Sequence, residues 1–483
     1  MIGRGTCLGI VACLSLLAHA KGLTAPLLDY HFHRQVNTAS IARGYWRDAR
    51  PVLEPRIDWD GASDKLAATE LPFYMWAYGK LWPLAGLGEK WGRLISVAAS
   101  LLTALLLFFL FEREFGREAA FWGASIFSLL PVEVYFGRTV QPEATALLAL
   151  VAALVFWSRA LEPDRPWGAW SGAVFCAFVA VGLKLPYVHL LIPLAGLTWR
   201  KLGRGAFADW RMHAAGLAAM GGVIAWYLYA RDGVYVVPTR ASQYGSLLNY
   251  SRLLYFMQFQ ILSRIPEVVL TYAGIIFLVS GARRILGEKR DAFWLSWFFG
   301  VILHLLAMAG YSHAHEYTAL PLAPVAAGLI GVGVASLRER ASAAKARRSL
   351  ALAGWALLVI AIPAHSALRI GHWYKQGFEY LAEAGKAADA VSARTDLFYT
   401  NCQAPSVLLY YLDRRGWSDE LDMTPASADR LIAEHAAKGA RFIASEKRGL
   451  FAEPDGALWK RFRAAGKPSW DDGKLVIFPL IAP

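Results

Sequence analysis

Cysteine and charge are both scarce in this sequence. Its 483 residues include four cysteines, Cys7, Cys13, Cys176 and Cys402. They are too few and too scattered for a disulfide framework or a paired-cysteine metal site. Only 18% of the residues are charged, whereas a soluble domain typically has about 25%. The composition therefore excludes a soluble enzyme or binding module as the description of the whole chain.

Hydrophobic residues make up 56% of the chain. They form blocks close to the roughly 20 residues that a helix needs to cross a bilayer. Nineteen Trp and twenty Tyr fit the aromatic belts at the two membrane surfaces. We predict a mainly α-helical, polytopic membrane bundle with about eleven transmembrane helices. The first lies within residues 1–20, and the others span about 92–111, 119–136, 143–158, 169–184, 186–199, 213–230, 268–282, 292–311, 318–336 and 349–368.

The net charge of +13 is distributed unevenly between the two sets of loops. Every second loop is rich in Lys and Arg, as in residues 200–211 and 338–348, whereas the opposite short loops contain few basic residues. Basic loops remain in the cytoplasm, so this charge indicates topology and not a nucleic-acid partner. We predict a multi-pass protein of the bacterial inner membrane, with the first outer loop (21–90) and the C-terminal region in the periplasm.

The N-terminal apolar segment has two interpretations. Ala18-His19-Ala20 resembles a signal-peptide cleavage site, but a multi-span chain commonly keeps its first helix as the orienting signal. We favour a retained first helix, and both interpretations place loop 21–90 outside. Within this loop, residues 71–82 are aromatic and amphipathic, which predicts a helix lying in the membrane interface.

The chain divides into a membrane domain, residues 1–368, and a C-terminal domain, residues 369–483. The C-terminal region has short apolar runs at 397–399, 442–444 and 475–478, with helical patterns around 405–413 and 426–438. Strands that alternate with helices predict a small α/β domain. We expect it to be soluble and to lie on the outer side.

Polar residues next to a membrane surface are candidate functional residues. Asp29 follows the first span directly and begins a polar cluster with His31, Arg34 and Gln35. A carboxylate at this position is well placed to reach a lipid headgroup, although an ordinary solvated loop acid has the same pattern. Glu70 precedes the interfacial helix, where a cap that meets the helix dipole is the alternative interpretation.

Further candidates lie between later spans. Arg138 and Glu143 flank Pro142 at the start of a span, a pattern that also occurs at ordinary helix starts. Lys184 lies between two spans, where it either snorkels to the interface or binds a phosphate. His315 and Glu316 lie in a short outer loop. His313 and His315 with the two histidines after Asp29 offer metal ligands, but no zinc signature is present, so we expect contacts to a headgroup or sugar.

Several short motifs follow one another along the chain: Asp29-Tyr30-His31 with Arg34-Gln35-Val36-Asn37-Thr38-Ala39, Glu70-Leu71-Pro72-Phe73-Tyr74, Gly92-Arg93-Leu94-Ile95-Ser96, Arg138 with Pro142-Glu143, Lys184, and His315-Glu316-Tyr317. In this order and topology they resemble the membrane glycosyltransferases of the GT-C superfamily. The resemblance is to the bacterial branch of the protein O-mannosyltransferase and lipid A aminoarabinose transferase family, and it covers about residues 29–330.

The resemblance implies an external active site, a polyprenyl-phosphate sugar donor and an essential aspartate in the first outer loop, which is Asp29 here. It leaves the acceptor open as a lipid, a glycan or a protein. Glu143 is expected as a second catalytic acid, although Asp is frequent at that position. No metal ligand set is predicted, and a divalent metal ion remains compatible with the sequence. The substrate-binding residues expected are His31, Arg34, Gln35, Glu70, Tyr74, Arg138, Lys184, His315, Glu316 and Tyr317.

The expected reaction is an inverting glycosyl transfer in which Asp29 accepts the proton of the acceptor hydroxyl. A transporter or flippase for a lipid-linked or anionic substrate is the alternative from another class. Internal repeats and paired broken helices, which are typical of transporters, are not evident in the sequence. A non-catalytic assembly subunit with inert acids is a third hypothesis.

Overall fold

The computed structural model describes residues 3–84, 88–164, 166–234, 250–286, 291–312, 315–402, 406–419, 425–447 and 467–480, and single positions between 451 and 463. Up to residue 370, the described part of the chain is mainly helical. The helices are α1 (Arg4–His19), α2 (Phe32–Arg47), α3 (Phe73–Leu81), α4 (Glu89–Phe115), α5 (Arg117–Phe127), α6 (Pro131–Phe136), α7 (Glu143–Ala160), α8 (Trp167–Leu183), α9 (Leu191–Leu202), α10 (Trp210–Tyr229), α11 (Tyr250–Phe259), α12 (Tyr272–Ile285), α13 (Asp291–Ala307), α14 (Ala309–Ser312), α15 (Leu322–Ser342) and α16 (Arg348–Ile370).

Several helices are long and apolar enough to cross a bilayer. Within the described part of the chain there are four of these, in α4, α7, α15 and the segment that contains α16, or five if the bent segment from Leu253 to Ile285 is one span. The helices α1, α8 and most of α13 are apolar but shorter. The chain is therefore a multi-helix membrane protein, as predicted, while the count of about eleven spans is not confirmed.

The boundaries of some predicted segments differ from the structure. The predicted span 119–136 consists of two helices, α5 and α6, because the chain breaks at residues 128–130 and Pro131 begins a new helix. The first outer loop contains α2, which the sequence analysis did not predict. The predicted helix over 71–82 is confirmed as α3, whose sequence is rich in aromatic residues.

The two ends of the bundle differ in chemistry. Ion pairs between basic loops and helix ends lie at one end, as in Arg200 with Glu114 (2.7 Å) and Arg338 with Glu118 (2.6 Å). α4 has 27 residues and is therefore about 40 Å long, so its first turn lies far from these pairs. Arg93, near the start of α4, belongs to a second polar group at the opposite end of the bundle.

The chain after α16 forms a small α/β domain, as predicted. Its helices are α17 (Ala384–Val391), α18 (Val407–Leu412) and α19 (Pro425–Ala437), and its strands are β1 (Leu397–Asn401), β2 (Gly416–Asp419), β3 (Ala440–Glu446), β4 (Trp470–Asp471) and β5 (Leu475–Pro479). The strand order is β2-β1-β3-β5-β4. β1 pairs in parallel with β2 and β3, and β5 is antiparallel to β3 and β4.

Candidate active site

The predicted site residues meet at the end of the bundle opposite the basic loops, although they come from distant parts of the chain. Asp29 lies in the loop between α1 and α2, and Arg138 lies between α6 and α7. Glu143 is the first residue of α7, Lys184 directly follows α8, and Glu316 begins the short helix Glu316–Ala319 before α15. Helix starts and ends converge here because consecutive spans run in alternating directions.

Asp29 is the centre of a sealed cluster, which we define as Asp29, Gln35, Arg93 and Arg138. Arg138 donates from Nη2 to Asp29 Oδ2 at 2.6 Å, and Arg93 donates from Nη1 to the same oxygen at 3.3 Å. Gln35 Nε2 donates to Asp29 Oδ1 at 2.6 Å. The side chain of Asp29 is 1% exposed, and both arginine side chains are completely buried. Both carboxylate oxygens are therefore occupied by protein donors.

Other donors and acceptors of the sealed cluster also have protein partners, although among the described residues none bonds to the buried Nε atoms of Arg93 and Arg138. Gln35 Oε1 accepts from the backbone N–H of Val140 at 3.1 Å, which fixes the orientation of the amide. Arg93 Nη2 donates to the carbonyls of Ala25 and Pro26 at 3.2 and 3.1 Å. Two buried guanidinium groups tolerate the low dielectric because a charged partner and hydrogen bonds compensate their lost hydration.

A second group, the open cluster, consists of three acids and their partners: Glu70 with Arg34, Glu143 with Lys184, and Glu316 with both His31 and Arg264. Arg34 Nη2 lies 2.5 Å from Glu70 Oε1, and Lys184 Nζ lies 2.5 Å from Glu143 Oε1. His31 Nε2 donates to Glu316 Oε2 at 2.9 Å, and Arg264 Nη2 donates to Oε1 at 3.1 Å.

Each pair of the open cluster has a partly exposed member. The exposed fraction of the side chain is 16% for Arg34, 18% for Lys184 and 13% for Glu316. An ion pair with partial access to solvent or lipid is able to exchange its protein partner for a ligand of the same charge. The open cluster therefore has the chemistry of a binding site for a group that carries negative charge and hydroxyls.

The ring of Tyr317 lies at the middle of the open cluster. Lys184 Nζ lies 5.3 Å from its ring centroid, and the rings of His31 and His315 lie 5.2 and 5.3 Å away. Its hydroxyl shares a hydrogen bond of 2.8 Å with Tyr311. Tyr317 is buried, so its ring packs between the charged groups and holds them around one apolar centre.

The electrostatic surroundings fix the charges in the open cluster. Burial opposes ionisation of Glu316, but the hydrogen bond from His31 and the charge of Arg264 outweigh it and lower the pKa of Glu316. Burial lowers the pKa of His315 to about 3, and the charge of Lys184 adds to this effect. Near neutral pH, Glu316 is therefore an anion and His315 is neutral.

The two clusters share one helix but not one environment. Arg34 and Gln35 are neighbours in the first turn of α2, and neighbours on a helix point in different directions. Arg34 reaches the open cluster while Gln35 reaches the sealed cluster. His31, directly before α2, has a left-handed backbone with φ of 60°, which turns the chain between the two clusters.

The structure brings together nearly all the predicted site residues. Tyr74 lies apart, because its hydroxyl donates to the carbonyl of Gly92 at 2.8 Å and contacts Ser96 Oγ at 3.1 Å inside the packed helices α3 and α4. Its predicted contact with substrate stays a prediction. His315 stacks on Tyr311 with ring centroids 4.1 Å apart, and His313 lies outside the described residues.

Two further residues belong to the site: Arg93, which was not a predicted site residue, and Arg264, one of the arginines of loop 231–267 that the sequence makes candidates for contact with an anion. Arg93 appears in the sequence as a charged residue within an apolar span, which is a signal of function, but it was noted only as part of a motif. Arg264 lies in the π-helix Gln260–Leu270, a rare element that is frequent at functional sites. The sequence offers no signal for that element beyond Pro266.

The candidate site contains histidine and carboxylate side chains, which are common metal ligands. In the portion of the chain that is described, no three His, Cys, Asp or Glu side chains are arranged to hold a metal ion. His31 and Glu316 lie together, but each is committed to an ion pair or hydrogen bond. The arrangement therefore offers a divalent metal no preformed ligand set, and no step of the proposed reaction is assigned to one.

Comparison with known proteins gives a family match and a fold match. Residues 69–229, about a third of the chain, match the model of the family described as dolichyl-phosphate-mannose-protein mannosyltransferase. This region contains α3 to α10 and five residues of the predicted site, Glu70, Tyr74, Arg138, Glu143 and Lys184. No curated protein matches the sequence significantly.

Solved structures match over nearly the whole chain. ArnT from Cupriavidus metallidurans bound to undecaprenyl phosphate superposes with a TM-score of 0.60 at 14% identity, covering 99% of this chain and 99% of ArnT. The Archaeoglobus fulgidus oligosaccharyltransferase tethered with an acceptor peptide has a TM-score of 0.61 at 11% identity, covering 91% of this chain and 68% of that chain. The same archaeal enzyme, AglB, in complex with an inhibitory peptide and a dolichol-phosphate, has a TM-score of 0.55 at 12% identity, with 91% and 69% covered.

These identities are low, so the structural matches establish the fold and the family model adds the sequence relationship. The predicted resemblance is confirmed, and the chain is a membrane protein with the fold of the GT-C glycosyltransferases.

Proposed function

We propose that this protein is a glycosyltransferase that moves a sugar from a polyprenyl-phosphate carrier to an acceptor at the outer face of the bacterial inner membrane. The observation that carries the proposal is the open cluster, where two partly exposed cations, Arg34 and Lys184, lie in a polar site at one end of a membrane bundle. The family match and the undecaprenyl phosphate bound to ArnT support it.

The donor phosphate is proposed to bind in the open cluster. Lys184 and Arg34 each pair with a single carboxylate. A phosphate that enters the open cluster can bind the same cation beside that carboxylate or in its place. Lysine binds phosphate as a point charge, and arginine binds it as a fork of donors. As the sugar leaves, charge grows on the phosphate oxygen, and cations fixed beside that oxygen stabilise it.

The proposed transfer is a direct displacement. The acceptor oxygen forms a bond to the anomeric carbon while the bond from that carbon to the phosphate oxygen breaks and its electron pair goes to the phosphate. The acceptor proton passes to a carboxylate of the protein. One displacement predicts inversion at the anomeric carbon, and the second product is the polyprenyl phosphate.

Asp29 is proposed as the base, as the resemblance implies. The side chain of Asp29 is 1% exposed, so an acceptor hydroxyl must displace a protein donor to reach it, and the longest contact, 3.3 Å from Arg93, is the easiest to displace. Glu143 is proposed as a second acid that acts through Lys184. Glu316 is the rival base that the geometry adds, because it is ionised, partly exposed and oriented by His31.

Reconstituted protein supplied with labelled polyprenyl-phosphate sugars and extracted envelope lipids, glycans or proteins tests the proposal. We expect labelled product with inverted anomeric configuration. The matched variants Asp29→Asn and Glu316→Gln separate the two base assignments, since only removal of the base abolishes transfer under saturating donor. Absence of transfer by the wild type across the donor panel contradicts the proposed function.

A further inference from the structure

The segment that carries Asp29 takes its backbone hydrogen bonds from the C-terminal part of the chain. The Leu27 N–H donates to the hydroxyl of Tyr411 at 2.8 Å. The carbonyl of Leu28 accepts from the Gly377 N–H at 2.9 Å, and the Tyr30 N–H donates to the carbonyl of Trp373 at 3.0 Å. The residues on both sides of Asp29 are therefore held by residues that lie more than 300 positions later in the sequence.

Aromatic side chains from the same C-terminal part reinforce these bonds. Trp373 stacks on Tyr30 with ring centroids 5.0 Å apart and planes 10° apart. The ring of Tyr374 lies 4.5 Å from the guanidinium of Arg138, which is the group that donates to Asp29 at 2.6 Å. Residues after α16 thus contact both the backbone beside Asp29 and one of its ion-pair partners.

These contacts are needed because the segment has little regular structure of its own. Residues 20–31 lie between α1 and α2 and form turns and bends. Buried backbone groups that lack helix or sheet partners must find other partners. At Leu27, Leu28 and Tyr30, the partners are a hydroxyl, an amide and a carbonyl from residues 373–411.

The C-terminal domain is itself fixed to the first outer loop. Arg43 on α2 donates from Nη1 to the carbonyl of Tyr410 at 2.8 Å, and Ser406 Oγ donates to Asn37 Oδ1 at 3.0 Å. Arg415 pairs with Asp48 at the end of α2. The domain therefore contacts α2 along its length and presents Tyr411 to the Asp29 segment.

We propose that Tyr411 and Trp373 are positioning residues for Asp29, and that the C-terminal domain with its linker is a working part of the active site. The positioning itself is independent of the reaction, whereas its effect on turnover rests on the proposed function. A C-terminal domain with no role in the active site would not be expected to bond to the backbone of residues 27–30 on both sides of Asp29.

The experiment compares two Tyr→Phe variants of the full chain in nanodiscs. Tyr411→Phe removes the acceptor for the Leu27 N–H. Tyr399→Phe is the matched control, because it removes one hydroxyl from the same domain, where that hydroxyl donates to Asp419 at 3.0 Å. Trp373→Ala tests the same proposal through a different contact, the stacking on Tyr30. Trp373→Phe keeps an aromatic ring at this position and should therefore regain part of the wild-type exchange protection and kcat.

Hydrogen–deuterium exchange and kinetics give two separate readouts. Tyr411→Phe and Trp373→Ala should raise exchange in residues 27–30 by about fivefold and lower kcat by about five- to tenfold, because one loses a buried hydrogen bond and the other a stacked ring. The KM for donor should change less than about twofold, since the open cluster is untouched. The control should leave both readouts at wild-type values.

The two proposals fail in distinguishable ways. A wild type without transfer activity overturns the proposed function, while the exchange data still decide whether the segment is held by the C-terminal part. Unchanged exchange in residues 27–30 of both Tyr411→Phe and Trp373→Ala overturns the positioning. Faster exchange with unchanged kcat in an active enzyme also overturns it, because the held geometry then has no effect on Asp29.

Discussion

The sealed and open clusters contain the same kinds of side chains in opposite states. In the sealed cluster, the exposed fraction of the side chain is 1% for Asp29 and 0% for Arg93 and Arg138, and protein donors occupy both carboxylate oxygens. In the open cluster, Arg34 and Lys184 pair with one carboxylate each and remain partly exposed. The two clusters therefore differ in burial and not in residue type: the same kinds of ion pairs are closed to solvent in one and partly open in the other.

This difference has energetic consequences. Removing one partner of a buried ion pair leaves an uncompensated charge and costs about 3–5 kcal/mol. A partly exposed pair is worth much less, since water screens it. Variants in the sealed cluster should therefore lower both stability and activity, whereas variants in the open cluster should mainly change binding, with a smaller loss of stability where a buried partner such as Glu143 is left unpaired.

Asp29→Asn is expected to have the largest effect. It removes the negative charge between Arg93 and Arg138, and it also removes the proposed base, which typically contributes about 10²–10⁴-fold to the rate. Transfer should fall by about 10³-fold or more, and the free energy of unfolding by about 3 kcal/mol. Glu316→Gln is the control, with a small effect on stability. An Asp29→Asn protein that turns over at the wild-type rate removes Asp29 from the mechanism.

The next largest effect is expected for Lys184→Met. It removes a cation from the proposed phosphate site and leaves Glu143 without its partner, so the KM for donor should rise by about tenfold or more, as measured by initial rates. The double variant Lys184→Met with Glu143→Gln removes both charges. It should recover stability but not donor affinity, which separates binding from folding. Recovery of both would assign the pair a structural role.

Tyr74→Phe should have a moderate and purely structural effect. The hydroxyl of Tyr74 bonds to the carbonyl of Gly92 in the packed interface of α3 and α4. Its loss should lower the free energy of unfolding by about 1 kcal/mol and leave kcat and KM unchanged. Thermal unfolding with steady-state kinetics checks both. An increase in KM with unchanged stability would return Tyr74 to the substrate-binding residues that the sequence predicts.

His315 is expected to give a small, pH-dependent effect. Burial lowers its pKa to about 3 from an ordinary value of 6.5, so the unfolded chain binds a proton between these values and the folded chain does not. Stability should therefore fall as pH decreases below 6.5. In His315→Phe, which keeps the stacking on Tyr311, the melting temperature should depend less on pH between about 6.5 and 5. An identical pH profile for both proteins contradicts the assignment.

Much of the fold follows from the sequence, because long apolar blocks and alternating strands carry strong local signals. The blocks around 92–111 and 143–158 correspond to α4 and α7, and the runs at 397–399 and 475–478 correspond to β1 and β5. α2 was missed because Phe32–Arg47 is polar and is stabilised by contacts with α3 and the C-terminal domain. Such contacts have no signature within the segment itself.

The sequence also identifies most side chains of the candidate site but not their division into two clusters. Arg34 and Gln35 are adjacent, yet one faces the open cluster and the other the sealed cluster. Arg138 and Lys184 look equivalent as isolated cations between spans, and only the packing shows that Arg138 is completely buried. The contacts of Tyr30 with Trp373 depend on residues far apart in the chain, which local patterns do not reveal.

The central claim is that the open cluster binds the phosphate of a polyprenyl carrier. Native mass spectrometry of the protein titrated with undecaprenyl phosphate measures this binding without the reaction. We predict that the charge-neutral double variant Lys184→Met with Glu143→Gln binds about tenfold more weakly than the wild type, while Tyr74→Phe binds like the wild type. Equal binding by the double variant and the wild type would contradict the claim.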